Sequence, residues 1–191
     1  MIATPGTFLR VGVILVIAVV LQISGVAQMR VLGSSANLVP LAVAGVAFFG
    51  GSVPGALAGF SAGLLLDLAL GATVGTSSLV LTAVGYGAGR YREVKDPAHG
   101  LAPIAFGLAA TAGYLLALGA VSFMLGIEAS VSLLVFRDIL VTVLLNGLLS
   151  LPVFWILGRV LRGALVSDPL ARGRRQRTRE AGPIGLRGLE V

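Results

Sequence analysis

The stretch GALAGFSAGLLLDLALGATVG, Gly55 to Gly75, places a small or acidic residue at every fourth position: Gly55, Gly59, Gly63, Asp67, Gly71 and Gly75. On a helix, residues four apart share a face, so the glycines leave a furrow along which another backbone can approach closely, the small-xxx-small device of helix pairs in lipid. Asp67 lies on the same stripe, among Leu64, Leu65, Leu66, Leu68 and Leu70. A carboxylate in such surroundings is costly in hydrocarbon and is expected to face protein, water or the membrane boundary. The stripe is therefore read as a packing surface with one polar point, open to a helix of this chain or to a partner's.

Composition fixes the solvent. Of the 191 residues, 57% are hydrophobic and only 12% charged, against ~25% charged in soluble domains. The mean hydropathy is +1.00, which marks a membrane protein. There are no cysteines, which excludes disulfides, thiolate catalysis and thiolate-bound metal.

Working outward from the stripe, six apolar segments are predicted, at about 8–28, 37–49, 54–70, 76–90, 101–126 and 133–161. They form one polytopic membrane domain over 1–162, an all-α six-helix bundle. Asn37 is placed to cap the second segment, Pro54 suits the first turn of the third, and Pro152 falls inside the sixth. Segments two and three fall short of the ~20 residues that cross ~30 Å of hydrocarbon, so they either both cross or form a re-entrant hairpin. The parity of the bundle is the same under both readings. The end of the apolar stretch of segment one, Gly25, Val26 and Ala27, looks like a signal-peptidase site, but the stretch is longer than a usual h-region and Gln22 inside it suits burial between helices, which favours an uncleaved anchor.

Charge orients the bundle. Arg10, Arg90, Arg92, Lys95, Arg159, Arg162, Arg172, Arg174, Arg175, Arg177, Arg179 and Arg187 fall on one side, leaving Arg30 and Arg137 for the other. Short basic loops stay cytoplasmic, so both termini are placed in the cytoplasm. Residues 163–191 read as a basic, disordered cytoplasmic tail. Its Arg172, Arg174, Arg175, Arg177 and Arg179 are expected at the membrane surface, attracting anionic lipid at ~1 kcal/mol per basic residue. With no interleaved aromatic and no nucleic-acid fold, nucleic acid is not expected as a partner.

No catalytic, cofactor or metal constellation is visible. His99 is the only histidine and sits in a charged loop. The run GYGAGR at Gly85 to Arg90 lacks the Lys-Ser/Thr of a phosphate loop, and Gly85, Gly87 and Gly89 read as helix-packing glycines. Ser77, Ser78, Thr82, Ser122, Ser130, Ser132, Thr142 and Ser150 have no base nearby in sequence, and such hydroxyls usually bond backbone or a neighbouring helix. Besides Arg30, the ionisable groups on the Asp67 side are Glu128, Arg137 and Asp138. Adjacent helical residues point ~100° apart, so one of Arg137 and Asp138 is free to turn towards another helix, and an Asp67 to Arg137 pair is the expected contact.

Taken whole, Asn37 to Tyr91 resembles the MreD family of rod-shape membrane proteins. The resemblance lies in NLVPLAVAGVAFFGG, the Gly/Pro turn, GLLLD, the later VGYGAGRY, and in particular Gly59, Gly63, Asp67, Gly71, Gly75, Leu79, Gly85, Tyr86 and Arg90. The arginine-rich tail and the glycine-rich loops depart from the family. The resemblance implies a non-enzymatic scaffold of the cell-elongation complex that binds a single-pass MreC-like partner and links MreB filaments to peptidoglycan synthesis, near RodA and its penicillin-binding partner. It also implies a helical arrangement similar to the substrate-binding subunits of vitamin transporters, and a small-molecule transporter subunit is the alternative function. Such a subunit would converge polar or aromatic groups on an outward cavity near Asp67.

Overall fold

The computed structural model describes residues 5–26, 34–94, 102–126 and 133–165. His99, Glu128, Arg30 and the tail arginines Arg172, Arg174, Arg175, Arg177 and Arg179 lie outside them. Among the described residues six α-helices follow one another: α1 (Pro5–Leu21), continued by a π-helical turn (Gln22–Val26), α2 (Leu38–Gly50), α3 (Ser52–Leu70), α4 (Thr76–Val94), α5 (Ala102–Met124) and α6 (Leu133–Leu165). Four helical stretches, Gly6–Ser24, Ser52–Leu70, Ala102–Met124 and Val135–Leu161, are long and apolar enough to cross a membrane. The chain is an all-α membrane bundle.

Its polarity runs opposite to that of a water-soluble protein. Phe8, Val13, Ile17, Leu57, Phe60, Leu79, Leu116, Leu144, Leu148 and Trp155 face outward, while Gln22, Asp67, Thr111, Asn146 and Ser150 are buried. An outer surface this apolar would be a severe liability in water and is the natural one against lipid tails.

α2 occupies the centre. Every residue from Val39 to Ala47 is buried. Around it the other five helices close a ring in which α1 touches α3, α3 touches α4, α4 touches α5, α5 touches α6 and α6 returns to α1, each also packing on α2. The α2 sequence LVPLAVAGVAFFG is apolar on all sides, as a helix enclosed on all sides requires. Pro40 sits in its first turn, where a missing N–H is least harmful.

How a helix this short crosses the bundle is answered by the residues before it. Ser34 Oγ donates to Asp138 Oδ1 at 3.1 Å, Thr142 Oγ1 donates to the Ser35 carbonyl at 3.3 Å, and Asn37 meets Asn146. Three residues of chain thus keep pace with eight residues of α6, a rise of ~12 Å, which takes extended backbone. Asn37 has φ −112° and ψ 97°, in the extended region. Helix and extended segment together reach ~33 Å, enough for the hydrocarbon layer. α3, joined to α2 through Gly51 alone, runs alongside α4 from Ser52 to Asp67.

At the Gly51 end the core closes with aromatic rings. Phe48 stacks edge-on against Phe49, Phe106 and Phe154 with centroids 5.0 to 5.5 Å apart, and Tyr91 meets Phe106 at 5.8 Å. The Arg92 guanidinium lies 5.4 Å over Phe48, a cation beside the C-terminal end of α2.

Candidate functional site

The glycine stripe divides into three kinds of position. Gly55, Gly59 and Gly63 face the backbone of α4: a Cβ at Gly55 would collide with the Gly85 carbonyl and lie 2.7 Å from Ala47 Cβ, one at Gly59 would lie 2.8 Å from the Thr82 nitrogen, and one at Gly63 2.7 Å from the Ser77 carbonyl carbon. Contacts under 3.0 Å are essentially never made by real Cβ atoms, so only glycine permits this approach. α4 answers with glycines of its own. Gly85 faces the Gly55 carbonyl and Gly89 faces Gly51 and Ser52, so each backbone nests against the other and Cα–H groups reach carbonyl oxygens. The furrow is filled from within the chain.

Gly71 and Gly75 do something else. Neither has any atom within 4 Å of its Cβ position, but both have positive φ, 63° and 100°. Their place on the packing stripe, expected from spacing, is corrected to turn formation. Gly71 ends α3 in the left-handed conformation, with Gly71 N–H donating to the Leu68 carbonyl and Ala72 N–H to the Asp67 carbonyl, the paired bonds of a Schellman ending. Gly87, grouped with Gly85 and Gly89 in the sequence reading, is likewise no packing glycine: it is exposed with open space around it.

Asp67 is 1% exposed. Its Oδ2 accepts the Gly75 N–H at 2.8 Å, and both oxygens accept the Ser77 N–H at 3.1 and 3.2 Å. Those amides open α4 and have no partner within that helix, so Asp67 caps a neighbour. The Arg137 partner expected from sequence is not what holds it. α3 and α6 are separated in the ring by α1 on one side and by α4 and α5 on the other, Arg137 is exposed, and Asp138 is engaged by Ser34. Tyr114 of α5 adds a hydroxyl that meets the Ser77 side chain, and Ser78 Oγ donates to the Phe60 carbonyl, tying α4 to both neighbours.

At the opposite end Glu93, in the last turn of α4, repeats the arrangement. Its Oε1 accepts both the N–H and the Oγ–H of Ser52, each at 2.8 Å, at the first residue of α3. The Ser52 bonds, helped by Arg90 3.4 Å away, hold the Glu93 carboxyl below its ordinary range. A carboxylate in the last turn of its own helix opposes that helix's dipole. Both acids are explained by the other helix: α3 lends Asp67 to the start of α4, and α4 lends Glu93 to the start of α3.

A second polar centre lies half-way along the bundle. Asn146 of α6 is wholly buried. Its Oδ1 accepts the Asn37 N–H at 2.9 Å, and its Nδ2 donates to the Asn37 carbonyl at 2.7 Å and to Thr111 Oγ1 at 2.9 Å. Thr111 donates onward to the Gly107 carbonyl. From α1, Gln22 Oε1 accepts the Leu38 N–H at 2.6 Å and Nε2 donates to Asn37 Oδ1 and the Ala36 carbonyl. The cap predicted for Asn37 is thus corrected. Asn37 holds the cap position without a side-chain cap bond, and Gln22 takes the first α2 amide instead. The sequence reading missed Asn146 and Thr111, although Asp138, Thr142, Asn146 and Ser150 recur every four residues and mark one polar stripe on α6. Of the hydroxyls expected to bond backbone, Ser78, Thr82, Thr142 and Ser150 do so.

Among the described residues, every buried side-chain nitrogen and oxygen has a hydrogen-bond partner, and no group of three or more His, Cys, Asp or Glu side chains could hold a metal ion. Comparison with protein families, curated proteins and solved structures finds no match.

Proposed function

We propose that this chain is a non-enzymatic membrane scaffold of the bacterial cell-elongation complex, one that binds a single-pass MreC-like partner and helps link MreB filaments to peptidoglycan synthesis. The observation that carries the reading is the commitment of polar side chains to the fold itself: the buried Asp67, Gln22 and Asn146, and Glu93 at the Gly51 end, each serve a backbone amide. A protein built this way acts through shape and position. The resemblance in Gly59, Gly63, Asp67, Gly85 and Arg90 gives the class of scaffold, and four of those positions, Gly59, Gly63, Asp67 and Gly85, have a common purpose, the closing of α3 on α4.

Filling of the furrow from within changes the mechanism expected from sequence. Gly55, Gly59 and Gly63 build the hairpin, and a partner helix meets the outward apolar faces instead. Orientation follows from charge. Arg90 and Arg92 on α4 and Arg159 on α6 gather at the Gly51 end, where Arg159 lies 5.8 Å over Trp155, an aromatic and cationic pairing typical of an interface. That end is the cytoplasmic one in our reading, with both termini on that side of the inner membrane, and RodA, its penicillin-binding partner and MreB are the further neighbours proposed.

Depletion in a rod-shaped host tests the function. A scaffold of elongation gives rounded cells and loss of peptidoglycan insertion along the cylinder. The transporter reading gives rods that stop growing and recover when a vitamin is supplied, and that result would overturn the proposal.

A further inference from the structure

The segment Ser34–Asn37 is the one described stretch of extended backbone that runs inside the bundle, and its polar groups are held by side chains from two helices. Ser35 leans on Thr142, the Asn37 peptide group is gripped on both sides by Asn146, and Gln22 reaches over to the Ala36 carbonyl and the Leu38 amide. In hydrocarbon a helix satisfies its own backbone, whereas irregular backbone depends wholly on its surroundings. Gln22 itself stands in the π-helical turn Gln22–Val26, a rare local geometry that recurs where a helix must redirect a side chain for function. Two independent features, a side-chain-held strap and a π-turn that aims one of its clasps, thus converge on a single place.

We infer that Ser34–Asn37 is a latched strap: Asn146 and Gln22 are its clasps, and their release lets water reach the start of α2 from the Asp67 end while the α3–α4 hairpin stays closed. The separation of the two events follows from the contacts. The hairpin is secured by Asp67, Glu93 and glycine backbone contacts, none of which involves α1, α6 or the strap. The strap, conversely, has no polar bond to α3 or α4 among those that hold Ser35, Ala36, Asn37 and Leu38. Asn146 is the stronger clasp, because its amide engages both the N–H and the C=O of one residue and is itself oriented by Thr111.

The absence of cysteine makes the full chain a ready background for the test. Single cysteines are placed at Ala36 in the strap (Ala36→Cys) and at Ala58 in the α3 interface (Ala58→Cys), both buried, and a membrane-impermeant maleimide is applied to unsealed membranes. Both sites are expected to resist labelling in the otherwise native chain and with Ser150→Ala, whose hydroxyl bonds only its own helix. Asn146→Leu is expected to raise labelling at Ala36→Cys by about tenfold or more, the effect of orphaning a buried peptide group, and to leave Ala58→Cys protected. Thr111→Val, which keeps Asn146 in place but removes the acceptor that orients it, should give a smaller rise in the same direction and decides the matter if Asn146→Leu does not accumulate. The inference is overturned if Ala36→Cys labels readily in the native background, if neither variant raises its labelling, or if Ala58→Cys opens in parallel, which would mean that the bundle loosens as a whole.

Discussion

Replacing Gly59 by alanine sets two known effects against each other. In a helix interior, Gly→Ala gains ~0.5 to 1 kcal/mol from reduced backbone freedom in the unfolded chain and better helix propensity. At Gly59 the added methyl would strike the Leu81 carbonyl and come to 2.8 Å from the Thr82 nitrogen, both backbone atoms that cannot rotate away. Ordinary contact begins at 3.4 Å, so α3 and α4 must part by a sizeable fraction of an ångström, opening the Gly55 and Gly63 contacts with them. Overpacking of this kind costs ~1 to 3 kcal/mol, so the clash wins and the variant is destabilised by ~0.5 to 2 kcal/mol net. Gly87→Ala on the same hairpin is the control: nothing lies within 4 Å of its Cβ position, and the propensity gain of ~0.5 to 1 kcal/mol stands alone. Unfolding of the full chain in mixed micelles by SDS titration should therefore move in opposite directions for the two variants. Equal shifts, or a stabilised Gly59→Ala, would refute the internal packing of the stripe.

The other predictions concern the caps and the turn. Asp67→Leu strands the Gly75 and Ser77 amides at ~1 to 3 kcal/mol per buried donor, whereas Asp67→Asn keeps one acceptor oxygen and should lose less than half as much in the same titration. Gly71→Ala should cost ~1 to 2 kcal/mol because its φ of 63° is left-handed, and Gly71→Asn should recover most of that, a rescue that asparagine cannot provide at the crowded Gly63. Glu93 brings pH dependence. Folding lowers its pKa, so its stabilisation is fully present above the ordinary value of 4.5 and is lost as pH falls through the folded value; wild type and Glu93→Gln should differ at neutral pH and converge in acid.

Much of the fold was legible because hydrocarbon imposes long apolar runs with few exceptions. Segment limits predicted at 76–90 and 133–161 correspond to helices at Thr76–Val94 and Leu133–Leu165. What periodicity cannot supply is the identity of the neighbour. The four-residue spacing through Gly55, Gly59 and Gly63 continues into Gly71 and Gly75, yet the helix ends at Leu70 and the last two glycines obey turn geometry instead. The sequence marks Asp67 as the polar point and suggests a cation as its partner. A helix N-terminus satisfies a buried acid as well as a cation does, and the telling sign is that Asp67, like the exposed Glu93, sits at the unfavourable end of its own helix. Asn146 escaped notice because a single asparagine among leucines carries no motif. Its meaning appears only with Thr142 and Asp138 on the same face of α6 and with a strap laid along that face.

Filling of the glycine furrow by α4 also revises where association should be sought. Gly59→Leu is expected to reduce partner capture only in proportion to the loss of folded protein, because it damages the hairpin. Substitutions on outward positions such as Leu144, Leu148 and Leu151 leave the interior intact and can reduce capture without changing the unfolding midpoint.

The most direct measurement is affinity purification of the tagged full chain from native membranes, with the co-purifying proteins identified. The account predicts a single-pass MreC-like protein together with components of the elongation machinery. Recovery of a nucleotide-driven transport motor, with no elongation protein beside it, would contradict the account.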